Sequence, residues 1–352
     1  MKGLRWHELN DIRLEDVPEP SPKENEVKIK IHWCGICASD IHEWLHGPLL
    51  IPAKRPHPIT GKQAPVILGH ELSGDVVEIG SSVTGINVGD RVTVRPTMPC
   101  YNCYWCKKGR HILCNRLATL GLAADGGFAE YVVARNDTVY QLPKEVTYEA
   151  AALCEPSAVA VHACVRARLS PGDSVAVIGT GPIGMLIIEA AKAAGAGKIF
   201  ASGTRPKRNE IAKKVGATEV INPKEVDVGK EIANLTERRR ADVVFECVGT
   251  KESIMQASTV SGRGARIVIV GQATEPCPFP FFSLMGLEKE IIGSSGYEDE
   301  FPTVLSYMAD GRIDTEPIIT ARIELDDIIE RGFNVLTSEK KGEHLKILVS
   351  PS

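Results

Sequence analysis

The chain has 352 residues, 43% of them hydrophobic and 24% charged, which is typical of a globular protein and long enough to predict two domains. A formal net charge of −4 gives no reason to expect nucleic acid or a membrane surface as a partner, and the sequence shows neither a membrane-span-length apolar run nor a signal peptide. Its ten cysteines therefore indicate thiols and metal ligands rather than disulfides, and we expect a cytoplasmic enzyme.

The first third of the chain is predicted to be mostly β. Residues 27–31 alternate apolar and polar side chains, which is typical of a half-buried strand, and residues 76–80 form a second β-rich run. A loop rich in proline and glycine, from Gly47 to Pro65, separates the two. This pattern predicts a domain of many short strands.

Four cysteines follow this region at close spacing: Cys100, Cys103, Cys106 and Cys114. They lie in a segment without hydrophobic periodicity, which could not bury enough apolar surface to fold by itself. Four thiolates at this spacing predict a closed tetrahedral zinc site, and its zinc is structural because protein ligands fill every position. The alternative, a group of surface thiols prone to oxidation, is disfavoured by the spacing.

Residues 150–168 predict a helix that Glu155-Pro156 opens, and strands then alternate with helices up to about residue 292. Such alternation predicts a doubly wound parallel sheet with helices on both faces. The predicted strands are 174–178, 198–202, 219–221, 242–248, 265–270 and 290–292, and the helices between them include 183–194 and 206–215.

The strand at 174–178 leads directly into a glycine-rich turn and a helix. The turn is Gly179-Thr180-Gly181-Pro182-Ile183-Gly184, with the spacing G-x-G-x-x-G. The first glycine permits the turn, the second lets the backbone approach a pyrophosphate, and the third lets helix and strand pack closely. In this context the motif predicts dinucleotide binding.

The end of the second strand of this sheet indicates which dinucleotide is bound. An acid about 20 residues beyond the glycines normally binds the ribose hydroxyls, but Gly203 stands in that place. Glycine would leave room for a 2′-phosphate, Thr204 offers a hydroxyl, and Arg205 and Arg208 offer charge. These residues favour NADP(H) over NAD(H), although a solvated basic helix start is the alternative. Further cofactor contacts are predicted at Val248, Gly271 and Ser295.

Four potential zinc ligands have no structural explanation in this scheme: Cys37, His70, Glu71 and Glu155. Thiolate, imidazole and carboxylate are all zinc ligands, and catalytic sites usually draw them from separated positions. Spacing alone does not join them, since cysteine and histidine are also common core or surface residues.

In these motifs the chain resembles the zinc-containing medium-chain alcohol and polyol dehydrogenases. The elements carrying the resemblance span the chain in the family's order: Gly35-Ile36-Cys37-x-Ser39-Asp40, Gly69-His70-Glu71, the four-cysteine segment, Glu155-Pro156 and the glycine-rich turn. Within the family it is most similar to the 2,3-butanediol dehydrogenases (acetoin reductases), in the insertion before Gly69, in residues 301–304 and in residues 308–313.

The resemblance implies a fold and a catalytic site. It implies a GroES-like, mostly-β catalytic domain and a Rossmann domain; the catalytic domain would comprise 1–155 and 294–352, with the zinc lobe at about 97–116, and the Rossmann domain 156–293. Cys37, His70 and Glu155 would bind a catalytic zinc, with Glu71 as a fourth ligand or exchangeable neighbour. Ser39 would pass the proton on, and His42 would take it towards solvent, although simple surface exposure remains the alternative for His42.

The resemblance also implies a reaction, namely hydride transfer between NADP(H) and a secondary alcohol or ketone. Polyol dehydrogenases of the family carry a substrate-binding arginine just after the last sheet strand, and residues 293–297 contain none. This difference favours 2,3-butanediol, acetoin or diacetyl over a polyol. A polyol or general secondary-alcohol dehydrogenase using NAD(P) remains the alternative, and the family implies a homodimer or homotetramer.

Overall fold

A computed structural model of the chain describes residues 1–273 and 275–351, without the side chains of residues 340 and 341. The chain divides into two compact units. The first comprises Met1–Glu155, Phe301–Ala309 and Ile319–Ser352, and the second comprises Pro156–Glu300 and Asp310–Ile318. Residues 294–300 and 310–318, assigned to the catalytic domain on sequence grounds, thus belong to the second unit.

The strands of the described residues, in chain order, are β1 (Lys2–Glu8), β2 (Asp11–Asp16), β3 (Glu26–Gly35), β4 (Val66–Ile67), β5 (Glu71–Ile79), β6 (Arg91–Val94), β7 (Thr97–Met98), β8 (Ala118–Thr119), β9 (Tyr131–Arg135), β10 (Val139–Gln141), β11 (Val175–Ile178), β12 (Ile199–Ser202), β13 (Glu219–Ile221), β14 (Ala241–Glu246), β15 (Ser261–Ile269), β16 (Glu290–Gly293), β17 (Ile319–Glu324) and β18 (Lys346–Ser350).

The α-helices are α1 (Ala38–His46), α2 (Tyr104–Lys107), α3 (Tyr148–Ala152), α4 (Cys154–Arg166), α5 (Pro182–Ala193), α6 (Pro206–Val215), α7 (Val228–Leu235), α8 (Lys251–Val260), α9 (Phe281–Gly286), α10 (Phe301–Ala309) and α11 (Asn334–Thr337). Short 3₁₀ turns occur at His111–Leu113, Asn136–Thr138, Glu316–Ile318, Leu325–Asp327 and Glu339–Gly342, and one π-helical turn at Ile328–Phe333. None of the helices in the described part is both long and apolar enough to cross a membrane.

The first unit is mostly β, which confirms the GroES-like prediction. Its main sheet has the order β10-β6-β5-β3-β18-β17, with β9 also paired to β3. The ten-residue β3 is central because it pairs with β5 along its length, with β9 at its start and with β18 at its end. Trp6, Phe128 and Phe333 are among the largest buried side chains of this core.

The second unit contains a six-stranded parallel sheet with the order β13-β12-β11-β14-β15-β16, which confirms the predicted Rossmann fold. Residues Val175–Ile178 are all buried, as expected for a parallel strand covered on both faces. Ile178 pairs with Ser202 on one side and with Glu246 on the other. The carboxyl ends of the three central strands therefore lie at one edge, where such sheets bind ligands.

Several predicted elements have other bounds in the structure; the strand predicted over 265–270, for example, is Ser261–Ile269. The single helix predicted over 150–168 is two helices, α3 and α4, which break at Leu153. A continuous helix would need an N–H at Pro156 and would drive its ring into the carbonyl one turn earlier, so Pro156 lies in the first turn of a new helix. The strand predicted over 242–248 ends at Glu246, because the Glu246 carboxylate accepts the Val248 and Gly249 N–H groups in a turn.

Candidate active site

The four cysteines predicted to bind structural zinc lie together around the short helix α2. Their sulfur atoms all fall within 4.8 Å of one another. The Sγ atoms of Cys103 and Cys106 are 3.5 Å apart, and those of Cys100 and Cys106 are 4.0 Å apart. Tetrahedral zinc with Zn–S bonds of about 2.3 Å separates its sulfurs by about 3.8 Å, so this arrangement fits the ion.

Backbone groups point towards these sulfurs as they do around a bound thiolate. The N–H groups of Cys106 and Asn115 lower the pKa of the Cys103 thiol to about 6, whereas burial raises that of Cys106 to about 12. Cys114 Sγ accepts the N–H groups of Cys100 and Arg116, at 3.3 and 3.4 Å. The cluster thus has the donors that stabilise negative sulfur, and a cation would relieve the crowding of its four thiols.

A second group of potential ligands forms where two strands of the main sheet meet. Ligand atoms of Cys37, His70 and Glu71 lie within 4.8 Å of one another. The register of β3 and β5 brings them together, since Gly35 pairs directly with Glu71. Cys37 follows the end of β3, and His70 precedes the start of β5. Thiol, imidazole and carboxylate donors at these distances form a set that zinc accepts.

Asp40, in the first turn of α1, orients two of these donors. Its Oδ2 accepts the Cys37 N–H at 2.9 Å. Its Oδ1 faces His70 Nδ1 at 3.5 Å, and both atoms are buried without another hydrogen-bond partner. Burial disfavours the imidazolium, but the Asp40 carboxylate and the Cys37 sulfur outweigh it and raise the pKa of His70 well above its ordinary value. With Nδ1 facing Asp40, Nε2 is the ring atom that would bind a metal.

Ser39 and His42 both belong to α1. Ser39 Oγ lies 3.2 Å from His70 Nε2, so the hydroxyl predicted to pass a proton stands beside a candidate metal ligand. His42 is half-buried one helical turn further on, which places it on the same face of α1 as Ser39.

Glu71 is charge-paired to a residue that sequence reasoning missed. Lys346 Nζ contacts both Glu71 carboxylate oxygens at 2.6 and 2.7 Å and donates to the Ile36 carbonyl at 3.0 Å. Burial opposes the lysine charge, but the Glu71 carboxylate outweighs it and raises the pKa of Lys346. A side chain at Gly35 would meet the Glu71 carboxylate at 2.2 Å, so the pair needs glycine there.

Glu155, the other predicted carboxylate ligand, is the second residue of α4 and is half-buried. It is not part of the Cys37–His70–Glu71 cluster. Its negative charge nevertheless contributes to the raised pKa of Lys346 and so acts on the same site.

The glycine-rich turn has the geometry expected of a pyrophosphate cradle. Gly179 adopts a φ of 104°, which a side chain would strain. No atom lies within 4 Å of the position that a Gly181 Cβ would occupy, so the backbone is open to a ligand there. A Cβ at Gly184 would lie 1.9 Å from the Gly179 carbonyl oxygen. Pro182 begins α5, Ile183 follows it, and Gly181 caps the helix.

The other predicted cofactor residues follow the ends of neighbouring strands. Gly203 follows β12 and is buried, the next residue, Thr204, is exposed, and Arg205 caps α6. Burial and the neighbouring Arg205 charge lower the pKa of Arg208. The other three lie after later strands of the sheet: Val248 (47% exposed), Gly271, whose N–H binds the Glu246 carbonyl, and Ser295, which is exposed.

The structure shows a packing reason for glycine at position 203. A Cβ there would lie 2.2 Å from Thr180 Oγ1 and 2.4 Å from Asn209 Oδ1. The packing of Thr180 and Asn209 therefore requires glycine here, independently of any room that glycine leaves for a phosphate. Sequence reasoning missed Asn209, whose only signal was a polar residue in the first turn after Arg205.

Comparison with known proteins agrees with this architecture. A family model described as zinc-binding dehydrogenase matches residues 182–310, and one described as alcohol dehydrogenase GroES-like domain matches residues 23–144. The chain is 43% identical to an (R,R)-butanediol dehydrogenase of Bacillus subtilis (strain 168), with all of both chains covered. It is 36% identical to a sorbitol dehydrogenase of the same organism, covering 100% of this chain and 98% of that one.

Solved structures give the same result. A crystal structure of 2R,3R-butanediol dehydrogenase from Bacillus subtilis superposes with a TM-score of 0.94 at 42% identity, covering 100% of this chain and 99% of that chain. A structure from Sinorhizobium meliloti 1021, described as a zinc-binding dehydrogenase bound to NADP, has a TM-score of 0.91 at 32% identity, covering 99% of each chain. The chain therefore belongs to the zinc-binding, medium-chain alcohol dehydrogenases, with butanediol dehydrogenase among its most similar relatives.

Proposed function

We propose that this dehydrogenase transfers a hydride between NADP(H) and a small secondary alcohol or ketone, with 2,3-butanediol and acetoin as the substrate pair. The observation that carries the proposal is the convergence of Cys37, His70 and Glu71 beside the Ser39 hydroxyl. A zinc ion held there by Cys37, His70 and the carboxylate of Glu71 or Glu155 would lower the pKa of an alcohol or polarise a carbonyl.

Side chains of this chain would hold the metal ligands in place and move the proton. Asp40 fixes the Cys37 backbone and faces His70, so both donors are held before substrate arrives. Ser39 Oγ is the group that accepts the alcohol proton during oxidation and returns it during reduction. His42, on the same face of α1, carries that proton towards solvent.

The charge around position 203 supports the choice of NADP(H). The end of β12 offers no carboxylate to the ribose, and a carboxylate would repel a 2′-phosphate. Arg205 and Arg208 lie close enough that one lowers the pKa of the other. A phosphate between them would remove that repulsion and accept charge-assisted hydrogen bonds.

Two observations support the proposed substrate: the identity to the relatives and the residues of the loop after β16. The butanediol dehydrogenase is the more similar of the two Bacillus relatives, at 43% against 36% identity for the sorbitol dehydrogenase. Residues 293–297 carry no arginine to bind a polyol hydroxyl. A short diol or hydroxyketone has few hydroxyl groups, so its binding depends least on such an arginine contact.

The test is the initial rate of acetoin reduction by zinc-replete enzyme with NADPH and, separately, with NADH. We expect kcat/KM to favour NADPH by at least about tenfold, since a lost charge pair to phosphate costs more than 1.4 kcal/mol. Comparable turnover with NADH would contradict the cofactor assignment. Rates higher with sorbitol, xylitol or 2-butanol than with butanediol would contradict the substrate assignment and support the alternative.

Exposed apolar side chains in the second unit support the proposal that the protein is a homo-oligomer. Three side chains of α9 are largely exposed, Phe281 (70%), Phe282 (83%) and Met285 (69%), next to the edge strand β16 with its exposed Ile291. Two copies meeting here would bury these side chains and pair two free sheet edges. Light scattering should show a dimer or tetramer that Phe282→Asp dissociates, and a monomeric wild type would contradict this.

The thiol-rich zinc sites also suit a reducing compartment, so we propose that the protein acts in the cytoplasm.

A further inference from the structure

Position 203 is filled by the side chains of two other residues. A Cβ on Gly203 would lie 2.2 Å from Thr180 Oγ1, 2.6 Å from Thr180 Cγ2 and 2.4 Å from Asn209 Oδ1. Non-bonded atoms pack at about 3.5 Å or more, so each of the three contacts is prohibitive. The φ of Gly203 lies outside the left-handed region, so its backbone does not require glycine. Space alone excludes a side chain there.

Neither neighbour can easily move away. Thr180 is 5% exposed, and its β-branched side chain directs two heavy atoms at the same position. Its Oγ1 donates to Asn209 Oδ1 at 3.2 Å, and Asn209 Nδ2 donates to the Gly203 carbonyl at 2.9 Å. Both ends of the Asn209 amide are thus engaged, and turning it over would lose both bonds.

These bonds join three parts of the dinucleotide fold: the glycine-rich turn, the end of β12 and the first turn of α6. The Asn209 N–H also donates to the Arg205 carbonyl at 2.9 Å, which is the first hydrogen bond of that helix. The position of Asn209 therefore fixes the helix start that carries Arg205 and Arg208.

We propose that Thr180 and Asn209 are specificity-determining residues for the nicotinamide cofactor. They exclude from position 203 the carboxylate that would bind ribose hydroxyls, and they fix the start of α6, which carries Arg205 and Arg208, to the glycine-rich turn. The inference rests on the proposed use of NADP(H). It implies that an acid at 203 cannot by itself convert the enzyme to NAD(H), because Thr180 occupies the required space.

A double-mutant cycle on coenzyme binding tests the exclusion. Dissociation constants for NADPH and NADH are measured without substrate, from nicotinamide fluorescence, for wild type, Gly203→Ala, Thr180→Ala and the double variant. Gly203→Ala should weaken NADPH binding by roughly fivefold to a hundredfold, because the glycine-rich turn or the start of α6 must shift to admit the added Cβ. Thr180→Ala removes two of the three clashes and also the hydrogen bond that holds Asn209 Oδ1 in place, so the Asn209 amide can turn away. In that background the same change should have less than about a twofold effect. The matched control is Gly286→Ala, where nothing lies within 4 Å of the added Cβ. Light scattering first shows that this α9 variant keeps the oligomeric state of the wild type, and its coenzyme binding should then be unchanged.

Three further variants test the specificity for NADPH over NADH directly. Gly203→Asp alone should weaken both coenzymes, whereas Gly203→Asp with Thr180→Ala should bind NADH better than NADPH. Asn209→Ala should raise the NADPH dissociation constant by about two- to tenfold and the NADH constant much less, because only the 2′-phosphate uses the α6 cations. A merely structural role for Asn209 would move both constants equally.

The outcomes separate this inference from the function on which it rests. Additive effects in the cycle, or a Gly203→Asp variant that prefers NADH without help from Thr180→Ala, would overturn the inference. If Gly203→Ala does not fold, recovery of folding in the double variant supports the exclusion, and failure to recover overturns it. A wild type that binds NADH more tightly than NADPH would instead overturn the proposed cofactor, whatever the cycle shows.

Discussion

Replacing Lys346 by methionine should destabilise the first unit strongly. Methionine has nearly the length of lysine, so the change removes the charge while leaving most of the packing. It leaves the Glu71 carboxylate, which is fully buried, without its two contacts of 2.6 and 2.7 Å. The Ile36 carbonyl loses its 3.0 Å contact with Lys346 Nζ as well.

The magnitude follows from the burial of the pair. The side chains of Lys346 and Glu71 are 3% and 0% exposed, and removing one partner of such a pair costs about 3–5 kcal/mol. That is a large part of the roughly 5–15 kcal/mol by which proteins are stable, and it lowers the melting temperature of a unit of this size by roughly 10 °C. Removing both charges, with Glu71→Gln and Lys346→Met together, should recover at least about half of the loss.

The chain offers a matched control at its surface. Lys2 Nζ contacts both oxygens of Asp326 at the same distances, 2.6 and 2.7 Å, but the two side chains are 50% and 61% exposed. Lys2→Met should therefore leave the free energy of unfolding nearly unchanged, because solvent screens this exposed pair. Both pairs lie in the first unit, so their effects can be compared by a single probe.

Urea unfolding followed by tryptophan fluorescence is that probe. All four tryptophans lie in the first unit: Trp6, Trp33, Trp44 and Trp105. Equal denaturant slopes in wild type and variants are needed before the free energies of unfolding are compared. If Lys346→Met were as stable as Lys2→Met, or if the double variant recovered nothing, Lys346 would not be compensating the Glu71 charge.

Three more changes test the metal sites and a buried acid. Cys37→Ser should abolish turnover while NADPH binding and the melting temperature persist; an active variant would exclude Cys37 as a ligand of the catalytic metal. Cys103→Ser should lower zinc content by about half and reduce stability, since structural zinc contributes directly to folding, and an unchanged zinc content would contradict the lobe assignment. Burial raises the pKa of Glu189 from 4.5 to about 7, so wild-type stability should fall by roughly 3 kcal/mol as pH rises between these values. Glu189→Gln should match the wild type below pH 4.5 and exceed it above pH 7 in calorimetry; parallel pH profiles would contradict this.

Much of the fold could be predicted because its signals are local. The apolar run of β11, the glycine spacing after it and Pro206 at the start of α6 each fix the backbone over a few residues, so the Rossmann sheet was predicted nearly strand by strand. The zinc lobe was predictable for the same reason, since its four thiols lie within fifteen residues. The break between α3 and α4 was missed, although Pro156 signalled it.

The cluster of candidate metal ligands is different because no local pattern joins its members. Cys37, His70 and Glu71 were grouped by family resemblance, and geometry brings them together only through the pairing of Gly35 with Glu71 across β3 and β5. Lys346 lies 275 residues beyond Glu71 and opens a strand whose residues look like ordinary core. Nothing in its neighbourhood shows that its charge is buried or paired.

Position 203 shows the same limit of prediction from sequence, here at a single residue. The sequence by itself determined that no acid stands at the end of β12 and that arginines follow. Only the tertiary structure decided why, since the atoms that occupy the space belong to Thr180 on the glycine-rich turn and Asn209 on α6. Periodicity and spacing determine backbone conformation along the chain, whereas the volume and charge around a side chain depend on residues that strand register and helix packing bring to it from elsewhere.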